Sequence, residues 1–276
     1  MNIGQAIVLG VVEGLTEFLP VSSTGHLLIA ERLLGLPMGN QEQKDSLIGF
    51  TAVIQTGAIL AAVLYFLKDI LRLVTSFCRG LVSAPNRAER DFGFALAVVV
   101  GSLPIAVVGL ALKDVVKSID EQLISVAIGL IAFSAVLVFA EKRATQEREE
   151  RSLTVKDGLL IGLAQCIALV PGVSRSGATI SAGLLRGLDR VSATRLSFLL
   201  GIPALLGAGA LGLKDATGNT TGATATAVAT LVSFVVGYAS IAFLIRFVST
   251  HKISAFVPYR VLVGVGVVIA VAVNGS

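Results

Sequence analysis

The segment FALAVVVGSLPIAVVGLAL, residues 94–112, contains no charged side chain. A helix needs about 20 apolar residues to cross the hydrocarbon core of a bilayer, so this segment is long enough to span a membrane. The segment AVATLVSFVVGYASIAFLI, residues 227–245, has the same character. Of the 276 residues in the chain only 14% are charged and 54% are hydrophobic, and the mean hydropathy is +0.86. Because soluble domains carry about 25% charged residues, the sequence predicts an all-α polytopic membrane protein.

Apolar segments of this kind recur along the chain and define its organisation. Six of them predict complete transmembrane helices, at residues 47–67, 92–112, 122–140, 194–213, 224–247 and 256–273. Two more, residues 3–36 and 156–190, are interrupted near the middle, at 20–25 and 171–177. Each half is too short to cross alone, which predicts two re-entrant helical hairpins. Non-helical backbone at membrane depth is tolerated only where protein or a water-filled cavity surrounds it, so both breaks are candidate sites.

The two interrupted segments resemble each other in sequence. LPVSSTG, residues 19–25, and VPGVSRSG, residues 170–177, each contain a proline, a short turn and then Ser-x-(Ser/Thr)-Gly. Each is followed by three predicted spans, and this odd number brings the second unit into the membrane from the opposite side. The chain is therefore predicted to form one membrane domain of two repeats in inverted topology, residues 1–145 and 152–276.

Lysine and arginine residues predict the orientation, because the cytoplasmic loops of membrane proteins are enriched in them. Threading the spans leaves Arg175 within the membrane and divides the other basic residues into two unequal sets. The larger set is Lys68, Arg72, Arg79, Arg87, Arg90, Lys142, Arg143, Arg148, Arg151, Lys156, Arg186, Arg190, Arg195, Arg246, Lys252 and Arg260. The smaller set is Arg32, Lys44, Lys113, Lys117 and Lys214. We therefore predict that the larger set is cytoplasmic and that the first hairpin and both termini open to the outer face.

This distribution also accounts for the formal net charge of +4 without a nucleic-acid partner, for which the sequence has no recognition motif. Cys78 and Cys166 lack the spacing of a metal site. The N-terminal apolar segment lacks the basic start and the small-residue cleavage site of a signal peptide, so we expect it to be retained. The charged connector EKRATQEREERSLTVKD, residues 141–157, is predicted to be solvated.

Glu13 and Glu17 place two carboxylates within the first apolar segment. Because four residues separate them, they share one face of a helix. Ionisable groups within a membrane are candidate functional residues, although a position at the bilayer interface would also accommodate them. Divalent cations bind carboxylate oxygens, and Mg²⁺ often combines one or two carboxylates with substrate phosphate. Glu13 and Glu17 are therefore the predicted ligands of Mg²⁺ or Ca²⁺.

The residues that follow Pro20 carry hydroxyl groups and a histidine. Ser22, Ser23 and Thr24 are predicted to cap the returning helix, whose N–H groups and dipole favour a bound anion. Ser23 and His26 are three residues apart on one face of that helix, and a histidine within reach of a hydroxyl activates it as a nucleophile. A direct catalytic role for His26, or packing alone, is the alternative.

Arg175 lies at the second break, at the position that Ser23 occupies in the first. A guanidinium offers a planar fork of donors that suits phosphate; a structural ion pair with Glu13 or Glu17 is the alternative. Further donors to phosphate are predicted at Ser22, Thr24, Ser174, Ser176, Thr179 and Gln55. Metal-binding carboxylates, a nucleophile and an arginine together favour phosphoryl transfer on a lipid that carries a phosphate head group. The alternative function is a transporter or flippase for a phosphorylated lipid or anion.

The motifs GVVEGLTEFLPVSSTGH, residues 10–26, and PGVSRSGATIS, residues 171–181, resemble the two signature motifs of the undecaprenyl-diphosphate phosphatases, the bacitracin-resistance family of membrane enzymes. The similarity extends along the whole chain and includes VIQTGAIL and the closing PYR. The resemblance implies paired re-entrant hairpins in inverted repeats, a divalent cation, and removal of the terminal phosphate from a polyprenyl diphosphate. It also implies a multi-pass protein of the bacterial cytoplasmic membrane with its active site toward the outer face.

Carried over to this chain, the roles of the family fall on a small set of residues. Glu13 and Glu17 become the acidic, metal-associated residues, and Arg175 contacts phosphate. Ser23 and His26 take the roles of nucleophile or base. We predict that Ser23 attacks phosphorus with His26 as its base; His26 or water as the nucleophile is the alternative. An oligomer is compatible with the sequence.

Overall fold

A computed structural model of the chain describes residues 1–37, 39–112, 115, 122–215 and 222–274. Within these ranges the regular secondary structure consists of eleven α-helices and a few short 3-10 turns. The helices are α1 (Ile3–Thr16), α2 (Ser23–Leu33), α3 (Gln41–Tyr65), α4 (Leu67–Val82), α5 (Arg90–Ala111), α6 (Leu123–Arg143), α7 (Val155–Gln165), α8 (Arg175–Leu185), α9 (Arg190–Asp215), α10 (Ala223–Val248) and α11 (Val257–Asn274).

Six helical segments of the described chain are long and apolar enough to cross a membrane. They are Ser46–Tyr65, Arg90–Ala111, Leu123–Arg143, Arg190–Gly209, Ala223–Val248 and Ile253–Val273. Each matches one predicted span to within a few residues. The all-helical, multi-pass architecture that the composition predicts is therefore confirmed.

The two interrupted segments form pairs of short helices. In the first, α1 ends at Thr16 and α2 begins at Ser23. In the second, α7 ends at Gln165, a 3-10 turn follows at Cys166–Leu169, and α8 begins at Arg175. These helices have 14 residues in α1 and 11 in each of the others. At 1.5 Å per residue none reaches the ~30 Å thickness of a hydrocarbon core.

Each of these pairs packs against a long helix from the other half of the chain. Helix α1 contacts α10, and α7 contacts α5. Glycine makes both contacts possible: a Cβ atom at Gly10 would lie 2.5 Å from the carbonyl oxygen of Ala229. A Cβ atom at Gly162 would lie 2.0 Å from the carbonyl oxygen of Gly101. When Ser22 is aligned with Ser174, Gly10 is aligned with Gly162, so both breaks are supported by an equivalent close backbone approach.

Helix α4 was not among the predicted elements. It follows α3 directly, and its apolar and polar residues lie on opposite faces. A helix of this kind is typical of a membrane surface rather than of a span. The sequence shows no continuous apolar segment here, because charged or polar residues interrupt the apolar ones at every turn.

The connector 141–157 is exposed or partly exposed along most of its length, as its charge predicts, but both of its end residues are buried. Asp157, at the start of α7, is fully buried and accepts hydrogen bonds from Arg148 at 2.7 Å and from Arg186 at 2.9 Å. Burial acts to raise the pKa of Asp157, but the hydrogen bonds from Arg148, Thr154 and Arg186 outweigh it and hold the pKa well below its usual value. Glu141 pairs with Arg190 in the same region. The sequence does not predict these buried ion pairs, because the paired residues lie apart in the chain.

Candidate functional site

The two breaks lie against each other in the interior of the protein. Ser176 donates a hydrogen bond from its hydroxyl to the carbonyl oxygen of Leu19 at 3.1 Å, and Ser174 does so at 3.4 Å. The Ser174 hydroxyl also accepts a hydrogen bond from the N–H of Gly177 and caps α8. The backbone of the first break is thus joined to the side chains of the second.

Glu17 is the residue at which the predicted site residues from both breaks converge. One of its carboxylate oxygens, Oε2, accepts a hydrogen bond from the Ser23 hydroxyl at 2.6 Å. The other, Oε1, accepts one from Nη2 of Arg175 at 3.4 Å. Glu17 is only 5% exposed, so both contacts lie in a medium where charge interactions are much stronger than in water.

Arg175 is held in place by the backbone of α9 as well as by Glu17. Its Nη1 donates to the carbonyl oxygen of Ser197 at 3.2 Å. The guanidinium occupies the space that a side chain at Gly201 would need, because a Cβ atom there would lie 1.6 Å from Nη1. Among the residues that the structure describes, Nε of Arg175 has no partner. The arginine thus keeps a donor for a further anionic group.

Glu13 lies one turn before Glu17 on α1 and is 1% exposed. Neither of its carboxylate oxygens has a hydrogen-bond partner within the described part of the chain. A buried carboxylate without a partner is costly, and a cation would compensate for it. The described residues contain no group of three or more histidine, cysteine or acidic side chains arranged for a metal. Glu13 and Glu17 supply two carboxylates, and Mg²⁺ is often bound by one or two carboxylates with water and phosphate as its other ligands.

His26 is directed away from Ser23. Its Nδ1 lies 2.7 Å from the carbonyl oxygen of Ser22, and its Nε2 lies 2.8 Å from the hydroxyl of Tyr259. Because a carbonyl only accepts, Nδ1 carries a proton and Nε2 of the neutral ring accepts from Tyr259. The imidazole also stacks on the Tyr259 ring, with 5.5 Å between centroids. Spacing along α2 predicted a contact between Ser23 and His26, but the serine turns to Glu17 and the histidine to α11.

The other hydroxyls of the first break differ in their surroundings. Ser22 is buried and has a φ of 76°, and its side chain does not cap α2, so the prediction of a cap is wrong at this position. A positive φ is strained for a residue with a Cβ atom, and such strain is concentrated at functional sites. Thr24 is exposed and makes no hydrogen bond within the described residues.

The remaining predicted phosphate contacts are engaged with protein or lie apart. The Ser174 and Ser176 hydroxyls are 2.9 Å from each other. The Thr179 hydroxyl donates to the Arg175 carbonyl oxygen and lies 2.6 Å from the hydroxyl oxygen of Ser197. Gln55 is half-buried on α3, and its side chain forms no hydrogen bond in the part of the chain described. The structure therefore brings together Glu17, Ser23 and Arg175, while phosphate binding by these other residues stays a prediction.

Arg260 and Tyr259 contact the site and were missed as functional candidates. Arg260 was assigned to the cytoplasmic set of basic residues, and this assignment is wrong because its side chain is fully buried against the two breaks. An arginine within a predicted span is a signal in itself, since charges inside membranes are rare. Tyr259 gave no such signal, because tyrosine is common at membrane interfaces.

Comparison with known proteins identifies the family of this chain. The family model described as bacitracin resistance protein BacA matches residues 6–266. The chain is 53% identical over 266 residues to undecaprenyl-diphosphatase 1 of Streptomyces coelicolor, covering 96% of this chain and 94% of that protein. It is 50% identical over 271 residues to the undecaprenyl-diphosphatase of Acidothermus cellulolyticus, covering 98% and 97% respectively. The chain therefore belongs to the bacitracin resistance protein BacA family.

Proposed function

We infer that the protein hydrolyses undecaprenyl diphosphate to undecaprenyl phosphate and inorganic phosphate. The observation that carries this inference is the contact of Ser23 with Glu17, opposite Arg175 from the second break. Relatives about half identical over nearly their whole length are named undecaprenyl-diphosphatases. The reaction regenerates the lipid carrier used in peptidoglycan synthesis and thereby confers resistance to bacitracin.

The attack on phosphorus is assigned to Ser23, with Glu17 as the base. The hydroxyl already donates to Oε2 of Glu17, so the proton passes to the carboxylate as the serine oxygen bonds to the terminal phosphorus. The bond between that phosphorus and the bridging oxygen breaks, and undecaprenyl phosphate leaves. Water then cleaves the phosphoserine, which releases inorganic phosphate and restores the hydroxyl. His26 remains the second candidate for the base.

Phosphate is held in this proposal by Arg175 and by the N-terminus of α8, which Arg175 begins. The guanidinium neutralises charge on the phosphoryl oxygens as the bond to the leaving group breaks. Thr24, which is exposed on α2, offers a further hydroxyl to phosphate in this proposal. The ion pair of Arg175 with Glu17 coexists with this role and orients the guanidinium when no substrate is present.

Glu13 and Glu17 are the residues that we propose to hold a divalent cation, Mg²⁺ or Ca²⁺. The support is chemical: two buried carboxylates on one face of α1, one of them without a partner among the described residues. A bound cation would supply positive charge to the diphosphate and its leaving group.

The short helix pairs are proposed to be re-entrant hairpins in an inverted repeat. The support is the length of their helices and the exchange of partners, with α1 on α10 and α7 on α5. An inverted repeat produces such reciprocal contacts, because each hairpin then meets the equivalent span of the other half.

We further propose the orientation that the basic residues predict, in the bacterial cytoplasmic membrane and with the site toward the outer face. Cys78 is exposed on α4, on the predicted cytoplasmic side. In a Cys166→Ser background, a membrane-impermeant maleimide is expected to label Cys78 in inside-out vesicles and not in intact cells. Labelling in intact cells would reverse the orientation.

Release of inorganic phosphate from a prenyl diphosphate by the purified protein tests the proposed function directly. We expect release by the wild type, loss of release with a chelator, and recovery on adding Mg²⁺ or Ca²⁺. The Glu17→Ala variant is expected to be inactive. Translocation of a phosphorylated lipid in liposomes without phosphate release would instead support the transporter alternative.

A further inference from the structure

Arg260 is a fully buried cation on α11 that binds oxygen atoms from three separate parts of the fold. Its Nη1 donates to the carbonyl oxygen of Pro20 at 2.7 Å. Its Nη2 donates to the carbonyl oxygen of Gly172 at 2.9 Å. Its Nε donates to the hydroxyl of Ser134 on α6 at 3.2 Å. Within the described residues its hydrogen bonds include none to a carboxylate.

The two carbonyl groups belong to equivalent positions of the two breaks. Aligning Ser22 with Ser174 also aligns Pro20 with Gly172. One guanidinium therefore bridges the two breaks at equivalent backbone atoms. Because the fork of a guanidinium is planar and rigid, it fixes the separation of the two carbonyl oxygens that it binds.

A residue of the proposed site lies the same number of positions after each of the two residues that carry these carbonyls. Ser23 comes three residues after Pro20, and Arg175 comes three residues after Gly172. We propose that Arg260 is a positioning residue for hydrolysis, which sets the separation between the Ser23 hydroxyl and the phosphate held by Arg175. This inference rests on the proposed function.

Comparing Arg260→Lys with Arg260→Met distinguishes a positioning role of Arg260 from a contribution to stability alone. A lysine restores the charge but presents a single point donor, which cannot hold two carbonyls at a fixed spacing. Both variants are expected to lose about 100-fold in kcat, since a misplacement of about 1 Å costs that much. KM is expected to change little, because the contacts of Arg175 with phosphate remain. The Lys variant should recover the thermal unfolding midpoint that the Met variant loses.

Ser134→Ala is the matched control. It removes the third hydrogen bond of Arg260 and leaves the fork on both carbonyls, so kcat should stay close to that of the wild type. Hydrogen exchange provides a readout that does not depend on activity. Peptides covering 19–25 and 170–177 should exchange faster in Arg260→Lys and should remain protected in Ser134→Ala.

Three results would overturn the proposal. A wild-type kcat in Arg260→Lys would mean that charge alone is required. A rise in KM that matches the loss of kcat/KM would mean that Arg260 binds substrate rather than sets spacing. Unchanged exchange at both breaks in Arg260→Lys would mean that the arginine does not hold them together. A wild type without phosphate release would refute the proposed function. The hydrogen-exchange experiment would still decide whether Arg260 holds the two breaks together.

Discussion

In the proposed mechanism Glu17 removes the proton of Ser23, because the serine hydroxyl donates its hydrogen bond to this carboxylate. Because this contact is 2.6 Å long, Glu17→Gln should remove the proposed base, and with it one carboxylate of the proposed cation site, without removing the bulk. We expect kcat to fall by about 10²–10⁴-fold, the usual contribution of a general base. Single-turnover phosphate release in the purified variant measures the effect.

His26→Gln is the companion variant for this prediction. Its partners are the Ser22 carbonyl and the Tyr259 hydroxyl, so its loss should reduce kcat less than the loss of Glu17. A larger loss in His26→Gln than in Glu17→Gln would restore the histidine as the base.

Gly201 sets the position of Arg175 by having no side chain. A methyl group at this position would collide with the guanidinium. In Gly201→Ala we therefore expect Arg175 to shift and kcat/KM for the diphosphate to fall about 10–100-fold, as for other small misplacements. The preference of helices for alanine over glycine, up to about 1 kcal/mol, should offset part of the stability lost when Arg175 moves away from Glu17.

Gly207→Ala on the same helix supplies the control, because no atom lies within 4 Å of the added Cβ. Equal activity in the two variants would contradict the placement of Arg175 over Gly201.

At this scale the sequence identifies residues whose chemistry conflicts with an apolar segment. Glu17 and Arg175 are recognised in this way, and the structure brings them together. The contribution of Gly201 and the pairing of Tyr259 with His26 could not be recognised, since both depend on contacts between residues far apart in sequence. Ser23 was predicted to contact His26 but contacts Glu17 instead. Helical spacing shows which residues share a face, but it does not show which rotamer each side chain adopts.

At the scale of elements, the closest backbone approaches are testable. Gly162 on α7 leaves 2.0 Å between an added Cβ and the Gly101 carbonyl oxygen. We expect Gly162→Ala to lower the free energy of unfolding by about 1–3 kcal/mol through overpacking. Gly266→Ala on α11, where the added atom meets open space, should be neutral or stabilising. Thermal unfolding in detergent compares the two, and equal midpoints would refute the close packing of α7 on α5.

Element positions were predictable where apolar length alone defines them. The six spans and both breaks were placed within a few residues, because a bilayer demands about 20 apolar residues and tolerates a break only inside protein. Helix α4 was missed, since a surface helix requires no continuous apolar segment.

At the scale of the whole molecule, Asp157 ties the connector to the start of α7 and to the end of α8. Its pKa is lower when folded than when unfolded, so its stabilisation is complete above the unfolded value near 4 and disappears as pH falls further. We expect Asp157→Asn to lower the free energy of unfolding by about 1.5–3 kcal/mol at pH 7, as for the loss of a hydrogen bond to a charged group. Thermal unfolding midpoints measured against pH test this expectation. The difference in midpoint between the variant and the wild type should shrink between pH 4 and pH 2, and a difference that stays constant would contradict this role.

The exchange of partners between the two halves has a consequence for biogenesis. Helix α1 ends at Thr16, whereas α10, on which it packs, begins at Ala223. At 5–20 residues per second, the ribosome needs roughly 10–40 s to synthesise the chain between them. During this interval the carboxylates of α1 lack their final surroundings and cannot settle stably into lipid. The pair of short helices α1 and α2 must therefore wait at the membrane surface or beside the insertion machinery, and the candidate site closes only after the segment that begins at Ala223 has entered the bilayer.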